Sequence, residues 1–180
     1  MCGILLTTRG IEDLPTIIEY LKFRGPDLTN TVHFEGLNFV HTLLSMTGPP
    51  TPQPFISEDE SKIAFFNGEI YNYKSLIVKH DLHDSLKDVE TGSDCEVLLH
   101  LYLKIGFIPM IDAIDGVFSL IIYDSNKGKI FCSRDIFGVR PLFYTFSKNR
   151  LGIASEAKAL VDIFENVYPF KPGTLLSIDA

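Results

Sequence analysis

The second residue of the chain is a cysteine, and its position would place two reactive groups on one residue. Cys2 follows Met1 directly and precedes Gly3 and Ile4. If Met1 is removed, Cys2 carries both a thiol and a free α-amine. A thiolate attacks carbonyl carbons, and an amine with an ordinary pKa of about 8 can take the thiol proton. Cys2 is therefore a candidate N-terminal nucleophile that supplies its own base; the alternative is a buried, inert thiol on a first strand.

The elements around this cysteine are predicted from apolar spacing and turn residues. A strand is expected over 3–8 and a helix over 11–23. Asn67-Gly68 is a hairpin-turn signal after a strand, and Ser93 with Glu96 forms a candidate capping box. Further strands are predicted within 31–41, 62–66, 117–123, 129–133, 141–145, 151–154 and 174–178, and further helices at 75–82, 94–104, 108–114 and from 155. Many buried-type strands with helices grouped between hairpins predict an α+β fold with two packed sheets.

Composition limits the class of protein. The chain has 180 residues, which predicts one domain with a substantial core, and its net charge of −7 argues against a nucleic-acid partner. Its cysteines number 3, which is neither a disulfide framework nor a metal-ligand pattern, so no metal is expected. Neither a signal peptide nor a membrane span is evident, so a cytoplasmic protein without a membrane partner is predicted.

Seven segments in fixed order carry a resemblance to a known family. They are Met1-Cys2-Gly3-Ile4, Arg24-Gly25-Pro26-Asp27, Asn67-Gly68-Glu69-Ile70-Tyr71-Asn72, Gly92-Ser93-Asp94-Cys95-Glu96, Asp115-Gly116-Val117-Phe118, Arg134-Asp135-Ile136-Phe137-Gly138-Val139-Arg140-Pro141-Leu142 and Ala154-Ser155-Glu156-Ala157-Lys158-Ala159-Leu160. With them the chain resembles the N-terminal glutamine-hydrolysing domain of asparagine synthetases, which are class II glutamine amidotransferases. The resemblance covers residues 1–180 and implies a four-layer α/β/β/α sandwich of two antiparallel sheets, of the N-terminal-nucleophile hydrolase type.

The resemblance also implies a catalytic role for three residues. Cys2, freed of Met1, would attack the side-chain amide of glutamine, form a γ-glutamyl thioester and release ammonia. Asn67 and Gly68 would form the oxyanion hole, through a side-chain NH2 and a backbone N–H. Preorganised donors of this kind stabilise the negative oxygen that forms during attack on an amide.

The substrate-binding residues implied by the resemblance include one departure from the family. Asp94 would bind the substrate ammonium, Glu69 belongs to the ligand segment, and backbone groups of Met46 and Thr47 would contact the ligand. The family has arginine where this chain has Leu43, and arginine pairs with a carboxylate through a planar fork. Leucine offers no donor, so the substrate α-carboxylate lacks its expected partner, and Leu43→Arg is predicted to lower the Michaelis constant for glutamine.

Three functional hypotheses follow. The first is a glutaminase domain that supplies ammonia for asparagine synthesis in an ATP-dependent synthetase domain, attached or in a separate chain. The Ser-Gly-Gly-x-Asp-Ser loop of that synthetase is absent here, so ATP and Mg are expected only there and no cofactor is expected in this domain. The second is a structural or regulatory module with impaired catalysis, and the third is an N-terminal-cysteine hydrolase of another γ-glutamyl amide.

The resemblance also allows a homodimer as one assembly. Arg134 and Asp135 are predicted to form a structural ion pair beside the site.

Overall fold

The computed structural model describes residues 1–8, 14–46, 50–86, 92–147 and 150–180. These residues form two antiparallel sheets, one with strand order β10-β8-β9-β1-β3-β2 and the other with order β11-β7-β6-β5-β4. The strands are β1 Gly3–Thr8, β2 Leu28–Phe34, β3 Leu37–Leu43, β4 Phe55–Ile56, β5 Lys62–Ile70, β6 Gly116–Asp124, β7 Lys129–Arg134, β8 Phe143–Ser147, β9 Arg150–Ala154, β10 Tyr168–Pro169 and β11 Leu175–Asp179. The helices are α1 Leu14–Lys22, α2 Tyr73–Lys79, α3 Val97–Ile105, α4 Phe107–Ala113 and α5 Lys158–Val161, and a 3₁₀ turn over Asp94–Glu96 precedes α3.

Alternation along the strands divides the core into three apolar layers, because successive strand residues face opposite sides of a sheet. On β1, Ile4 and Leu6 face the second sheet, whereas Leu5 faces α1 and α5. On β5, Phe65 faces the first sheet, and Phe66 packs with the layer formed by α2, α3 and α4. The order of layers is therefore helix, sheet, sheet, helix, and the predicted four-layer sandwich is confirmed.

Most predicted elements are present, with two corrections. The Asn67-Gly68 pair is not a hairpin turn: β5 continues through it to Ile70, and Gly68 lies opposite Phe118 of β6. Ser93 lies before the 3₁₀ turn but makes no side-chain capping bond, so the predicted capping box is absent. The predicted start of α1 falls at 11–13, outside the described residues. Within the described chain, no helix is long and apolar enough to cross a membrane.

Candidate active site

Cys2 lies directly before β1, and hydrogen bonds from residues distant in sequence hold this end of the chain in place. The Arg24 Nε donates to the Cys2 carbonyl at 3.0 Å. The Gly3 N–H donates to Thr42 Oγ1 at 3.2 Å, and the Ile4 N–H donates to Ser155 Oγ at 3.0 Å. These three bonds fix the first residues of the chain to the segment after α1, to β3 and to the segment after β9. The amino-terminal residues are therefore held at one end of an inner strand of the first sheet.

The side-chain direction of Cys2 follows from the alternation of β1. Gly3 pairs with Thr42, so the next register position sets Cys2 opposite Leu43. Cys2 shares its face with Ile4, which lies between the sheets. The thiol therefore faces the end of the space between the two sheets rather than the outer helices.

Burial sets the acid strength of the thiol. The Cys2 side chain is half-buried, and loss of solvation raises the pKa of its thiol, although the Leu44 N–H donates to the sulfur and opposes the shift. Burial also lowers the pKa of the Met1 α-amine. A thiol in this position is mostly protonated at neutral pH and needs a base to become nucleophilic, and a neutral amine at the same end of the chain suits that role.

Asn67 lies in the middle of β5 and is buried, with 1% of its surface exposed. Among the described residues its Nδ2 has no hydrogen-bond partner. The same is true of two other buried polar atoms on the inner faces of the sheets, Ser119 Oγ directly across from Asn67 on β6 and His41 Nε2 on β3. Buried polar atoms nearly always have partners in folded proteins. The inner end of the sandwich beside Cys2 thus keeps donors that internal contacts do not use.

The backbone of Gly68 faces outward from the sheet. Phe118 lies opposite Gly68, but its N–H donates to Asp135 Oδ2 and its carbonyl accepts from the Asp135 N–H. Because both polar groups of a strand residue point to the same side, Gly68 and Phe118 are a non-hydrogen-bonded pair, and the Gly68 N–H points away from β6. A Cβ on Gly68 would lie 2.1 Å from the Val117 carbonyl oxygen. Glycine is needed here because two strands approach closely, not because the chain turns.

Side chains occupy the outer edge of β5 on either side of the Gly68 N–H. The Gln53 amide pairs with Phe66 through both of its groups, since Oε1 accepts the Phe66 N–H at 2.7 Å and Nε2 donates to the Phe66 carbonyl at 3.0 Å. Asp94 Oδ2 accepts the Ile70 N–H at 2.5 Å. Phe66, Gly68 and Ile70 point the same way along the strand, so the Gly68 N–H is flanked by a neutral amide and a carboxylate.

Two carboxylates face this edge. Burial raises the pKa of the Asp94 carboxyl, the Ile70 N–H opposes that shift, and the nearby Glu69 adds to it. Glu69 Oε1 lies 3.3 Å from Arg140 Nη2. The arrangement suits a ligand that brings a positive charge, because a cation between the two carboxylates would relieve their repulsion and stabilise the charged form of Asp94.

A single cleft of about 850 Å³ joins these groups. Its lining includes the sequence-predicted residues Cys2, Leu43, Met46, Asn67, Gly68, Glu69 and Asp94. Thr47, the remaining predicted residue, lies outside the described part of the chain. Sequence reasoning missed Gln53 and Arg140, which also line the cleft. Only the Gly138-Val139-Arg140-Pro141 segment, already among the matching motifs, was a signal for Arg140; a glutamine in a proline-rich loop offered none.

The predicted ion pair between Arg134 and Asp135 is wrong. Arg134 donates to the carbonyls of Arg140, Phe170 and Gly138, at 2.6, 2.8 and 2.6 Å. The Asp135 carboxylate instead accepts backbone N–H groups, those of Phe118, Phe137, Val139 and Arg140. Both side chains bond to backbone groups of the turn, which reverses direction at Gly138 with φ +64°. Together they shape the turn that presents Arg140 to the cleft.

A second cavity, of about 260 Å³, lies at the opposite end of the sandwich. Its described lining is mostly apolar and contains no cysteine, histidine or amide side chain. The lining residues are Thr8, Leu37, Ile130, Phe146, Leu151, Ile178, Asp179 and Ala180. Within the described ranges no group of three His, Cys, Asp or Glu side chains could hold a metal ion. Of these two cavities among the described residues, the larger cleft is therefore the one that combines the Cys2 thiol, the Asn67 amide and carboxylates.

Comparisons with known proteins place the chain in a family. A family model described as "Glutamine amidotransferase domain" matches residues 1–178. The chain is 44% identical over 149 residues to asparagine synthetase [glutamine-hydrolyzing] 2 of Bacillus subtilis, covering 82% of this chain and 19% of that protein. It is 35% identical over 186 residues to asparagine synthetase [glutamine-hydrolyzing] of Zea mays, covering 98% of this chain and 31% of that protein. The chain thus spans less than a third of the length of these two relatives.

A solved structure supports the fold. The glutamine phosphoribosylpyrophosphate amidotransferase of B. subtilis, solved with ADP and GMP, superposes with a TM-score of 0.76 at 23% identity, covering 99% of this chain and 47% of that one. At this identity the likeness concerns the fold, and it agrees with the two antiparallel sheets described above. Since the family model spans almost every residue, the chain belongs to the glutamine amidotransferase domain family and is homologous to the glutaminase domain of asparagine synthetases.

Proposed function

We propose that the domain hydrolyses glutamine to glutamate and ammonia through a thioester on Cys2. The observation that carries the proposal is the buried Asn67 Nδ2, which has no partner among the described residues and belongs to a residue that lines the same cleft as Cys2. An amide nitrogen left without an acceptor is costly unless a ligand supplies one. The oxygen of a substrate amide, and still more the oxyanion formed from it, is such an acceptor.

The reaction begins with loss of Met1, which frees the Cys2 amine. This amine takes the thiol proton, and the sulfur attacks the side-chain carbonyl carbon of glutamine. The carbonyl oxygen becomes negative and accepts hydrogen bonds from Asn67 Nδ2 and the Gly68 N–H. The ammonium form of the Cys2 amine then gives its proton to the leaving nitrogen, and the carbon–nitrogen bond breaks to release ammonia. A water molecule attacks the thioester, the carbon–sulfur bond breaks, and glutamate leaves with the thiol restored.

The carboxylates of the cleft orient the substrate. Asp94 and Glu69 would bind the α-ammonium of glutamine, and backbone groups near Met46 and Thr47 would contact the rest of the amino-acid head. A fixed head positions the amide carbon over the sulfur, which replaces an encounter in solution by an intramolecular reaction. Leu43 also lines the cleft, but its side chain has no polar group and can give the substrate only apolar contact.

The ammonia would be used by an ATP-dependent synthetase domain. The relatives named as glutamine-hydrolysing asparagine synthetases are much longer than the region matched here. ATP and Mg would be needed only in that synthetase domain, and this domain would need no cofactor. A cytoplasmic location stays a prediction from the sequence.

The test is covalent labelling combined with turnover. Protein freed of Met1, as verified by intact mass, is treated with a diazoketone analogue of glutamine, and release of ammonia and glutamate from glutamine is followed separately. We expect one label on Cys2 and equal amounts of the two products. Cys2→Ala should lose both, whereas Cys132→Ala, at a thiol buried between the sheets, should keep both.

The same chain with Met1 retained is the second control. It has the same folded contacts but lacks the free amine on Cys2, so its turnover should be lost while the protein stays folded. Turnover that persists in Cys2→Ala would contradict the mechanism. Labelling without turnover of glutamine would favour a hydrolase of another γ-glutamyl amide, and the absence of both would favour a non-catalytic module.

A further inference from the structure

The cleft contains opposite charges in a pattern that matches an amino-acid head group. Its described lining contains the carboxylates of Glu69 and Asp94 and a single Lys, Arg or His side chain, that of Arg140. A free α-amino acid brings one ammonium and one carboxylate. The carboxylates can bind the ammonium, but the substrate carboxylate needs a cation or several donors, because an unpaired anion in a partly buried site is costly.

Arg140 has donor capacity that the protein does not use. Its Nη2 contacts Glu69 Oε1 at 3.3 Å, and its side chain is 15% exposed. Its Nε is buried and has no partner among the described residues. A guanidinium carries five N–H groups in a planar fork. Nη2 has two hydrogens, so it can donate to a second acceptor besides Glu69, and the edge of a guanidinium formed by the Nε–H and one Nη2 hydrogen matches the two oxygens of a carboxylate.

The backbone holds Arg140 firmly at the edge of the cleft. Its N–H donates to Asp135 Oδ2 at 3.2 Å, and its carbonyl accepts from Arg134 Nε at 2.6 Å. These bonds fix the start of the side chain, so binding a ligand requires little further ordering of the backbone. Preorganisation of this kind improves affinity by lowering the entropy lost on binding.

We propose that Arg140 binds the α-carboxylate of the substrate and thereby makes the cleft prefer amides that carry a free α-amino acid head. This inference rests on the proposed function, because it concerns the same cleft and the same amide. Glu69 then has two contacts, one with the Arg140 guanidinium and one with the substrate ammonium. The guanidinium and the two carboxylates present the alternating charges that an α-amino acid requires.

Two other described arginines, Arg24 and Arg134, already have partners within the protein. Arg24 donates to the Cys2 carbonyl, to Glu156 Oε1 at 2.8 Å and to the Met1 sulfur, and it is not part of the cleft lining. Arg134 donates to three carbonyls. Leu43 lines the cleft but has no donor. Arg140 is therefore the cationic side chain of the described cleft lining that is placed to bind the carboxylate.

The experiment compares two amides on the processed full chain. One is glutamine, and the other is 4-aminobutanamide, which is glutamine without its α-carboxylate. Arg140→Gln should raise the Michaelis constant for glutamine by about 10- to 100-fold, the range expected for a lost charged hydrogen bond, with kcat within about threefold. The same substitution should leave kcat/KM for 4-aminobutanamide within about twofold. An equal loss on both amides would overturn the proposal.

Three further variants make the test independent of folding. Arg150→Gln, at an arginine that stacks on Phe164 outside the cleft, is the matched control and should change neither constant. Leu43→Arg should improve glutamine binding more in the Arg140→Gln background than in wild type, since a second guanidinium then replaces the first. If Arg140→Gln loses its native melting transition, Arg140→Lys serves instead: it should raise the Michaelis constant for glutamine about tenfold without affecting 4-aminobutanamide, and equal effects would overturn the proposal.

The outcomes separate this inference from the proposed function. If wild type is not labelled by the diazoketone and hydrolyses neither amide, the proposed glutaminase reaction is wrong and the role of Arg140 falls with it. If wild type is labelled and hydrolyses glutamine, but Arg140→Gln leaves the Michaelis constant unchanged, only the carboxylate assignment is wrong.

Discussion

The cleft and the 134–140 turn beside it differ in how fully their polar groups are hydrogen-bonded. In the turn, the Arg134 guanidinium donates to three carbonyls and the Asp135 carboxylate accepts four N–H groups. In and beside the cleft, Asn67 Nδ2, Ser119 Oγ and His41 Nε2 are buried without partners among the described residues. A saturated network gives rigidity, whereas open donors cost stability until a ligand or water accepts them. The contrast separates residues that hold the site from residues that act in it.

The largest effect is expected where the network is saturated. Asp135→Ala would leave four backbone N–H groups without their acceptor at a position with 2% exposure. We expect the free energy of unfolding to fall by about 3 to 5 kcal/mol, measured by urea denaturation. Asp135→Asn, which keeps one carbonyl oxygen, should lose less. A loss below about 1 kcal/mol in Asp135→Ala would mean that the turn does not depend on this carboxylate.

Asn67→Ala should separate activity from stability. Since Asn67 Nδ2 has no partner in the described part of the chain, we expect kcat to fall about 100- to 1000-fold while the free energy of unfolding changes by about 1 kcal/mol or less. Asn38→Ala is the matched control, because the Asn38 amide contacts Thr7, Thr8 and His33 away from the cleft. It should lose stability and keep kcat. The reverse pattern in the two variants would refute the assignment of Asn67 as an open donor.

His41 makes the contrast dependent on pH. Burial lowers the pKa of the His41 imidazole from 6.5 to about 4, and no described acceptor holds its Nε2. The unfolded chain therefore binds a proton more readily than the folded one, so stability is present above pH 6.5 and is lost as the pH falls toward 4. We expect this residue to account for about 3 kcal/mol of that loss, and His41→Gln to remove it. Denaturation curves from pH 7 to pH 4 that run parallel for wild type and variant would contradict the assignment.

The smallest effect compares two fully buried serines. Ser119 Oγ has no described partner, whereas Ser155 Oγ accepts the Ile4 N–H at 3.0 Å. Ser119→Ala should leave the melting temperature unchanged or raise it, because it removes a polar atom that lacks a partner, and Ser155→Ala should lose about 1 kcal/mol. Both are measured by thermal unfolding. Equal destabilisation by the two substitutions would show that Ser119 is bonded in solution, for example to water.

Local sequence patterns predicted the strands and helices well where an element has its own run of apolar residues that pack in the core. A short apolar run placed the first strand correctly from Gly3 to Thr8, and hairpins such as β6–β7 follow from runs of apolar residues on either side of a polar turn. The Asn67-Gly68 pair was misread because the same dipeptide is typical of tight turns. Nine residues of pairing with β6 instead keep the strand extended through it.

Contacts between distant segments explain the other misses. Arg140 reaches the cleft only because the 134–140 turn is folded back by Asp135, and Gln53 reaches β5 from a loop with no regular pattern. The Arg134–Asp135 pair shows the same limit: neighbouring opposite charges suggested an ion pair, but nearby unpaired backbone groups were better partners for both. The spacing of residues in the sequence does not predict which backbone groups will have no partner in a neighbouring strand.

By itself, the sequence determined the candidate nucleophile, the strand alternation that turns Cys2 and Asn67 toward the space between the two sheets, and the order of motifs that marks the family. These follow from residue chemistry and from the two-residue period of a strand, which are local properties. Tertiary structure alone decided which buried donors stay open and which cation faces the carboxylates, since both depend on where separate strands end against one another. Leu43 and Arg140 illustrate the difference, because the chain separates them by nearly a hundred positions and only folding brings both into one cleft.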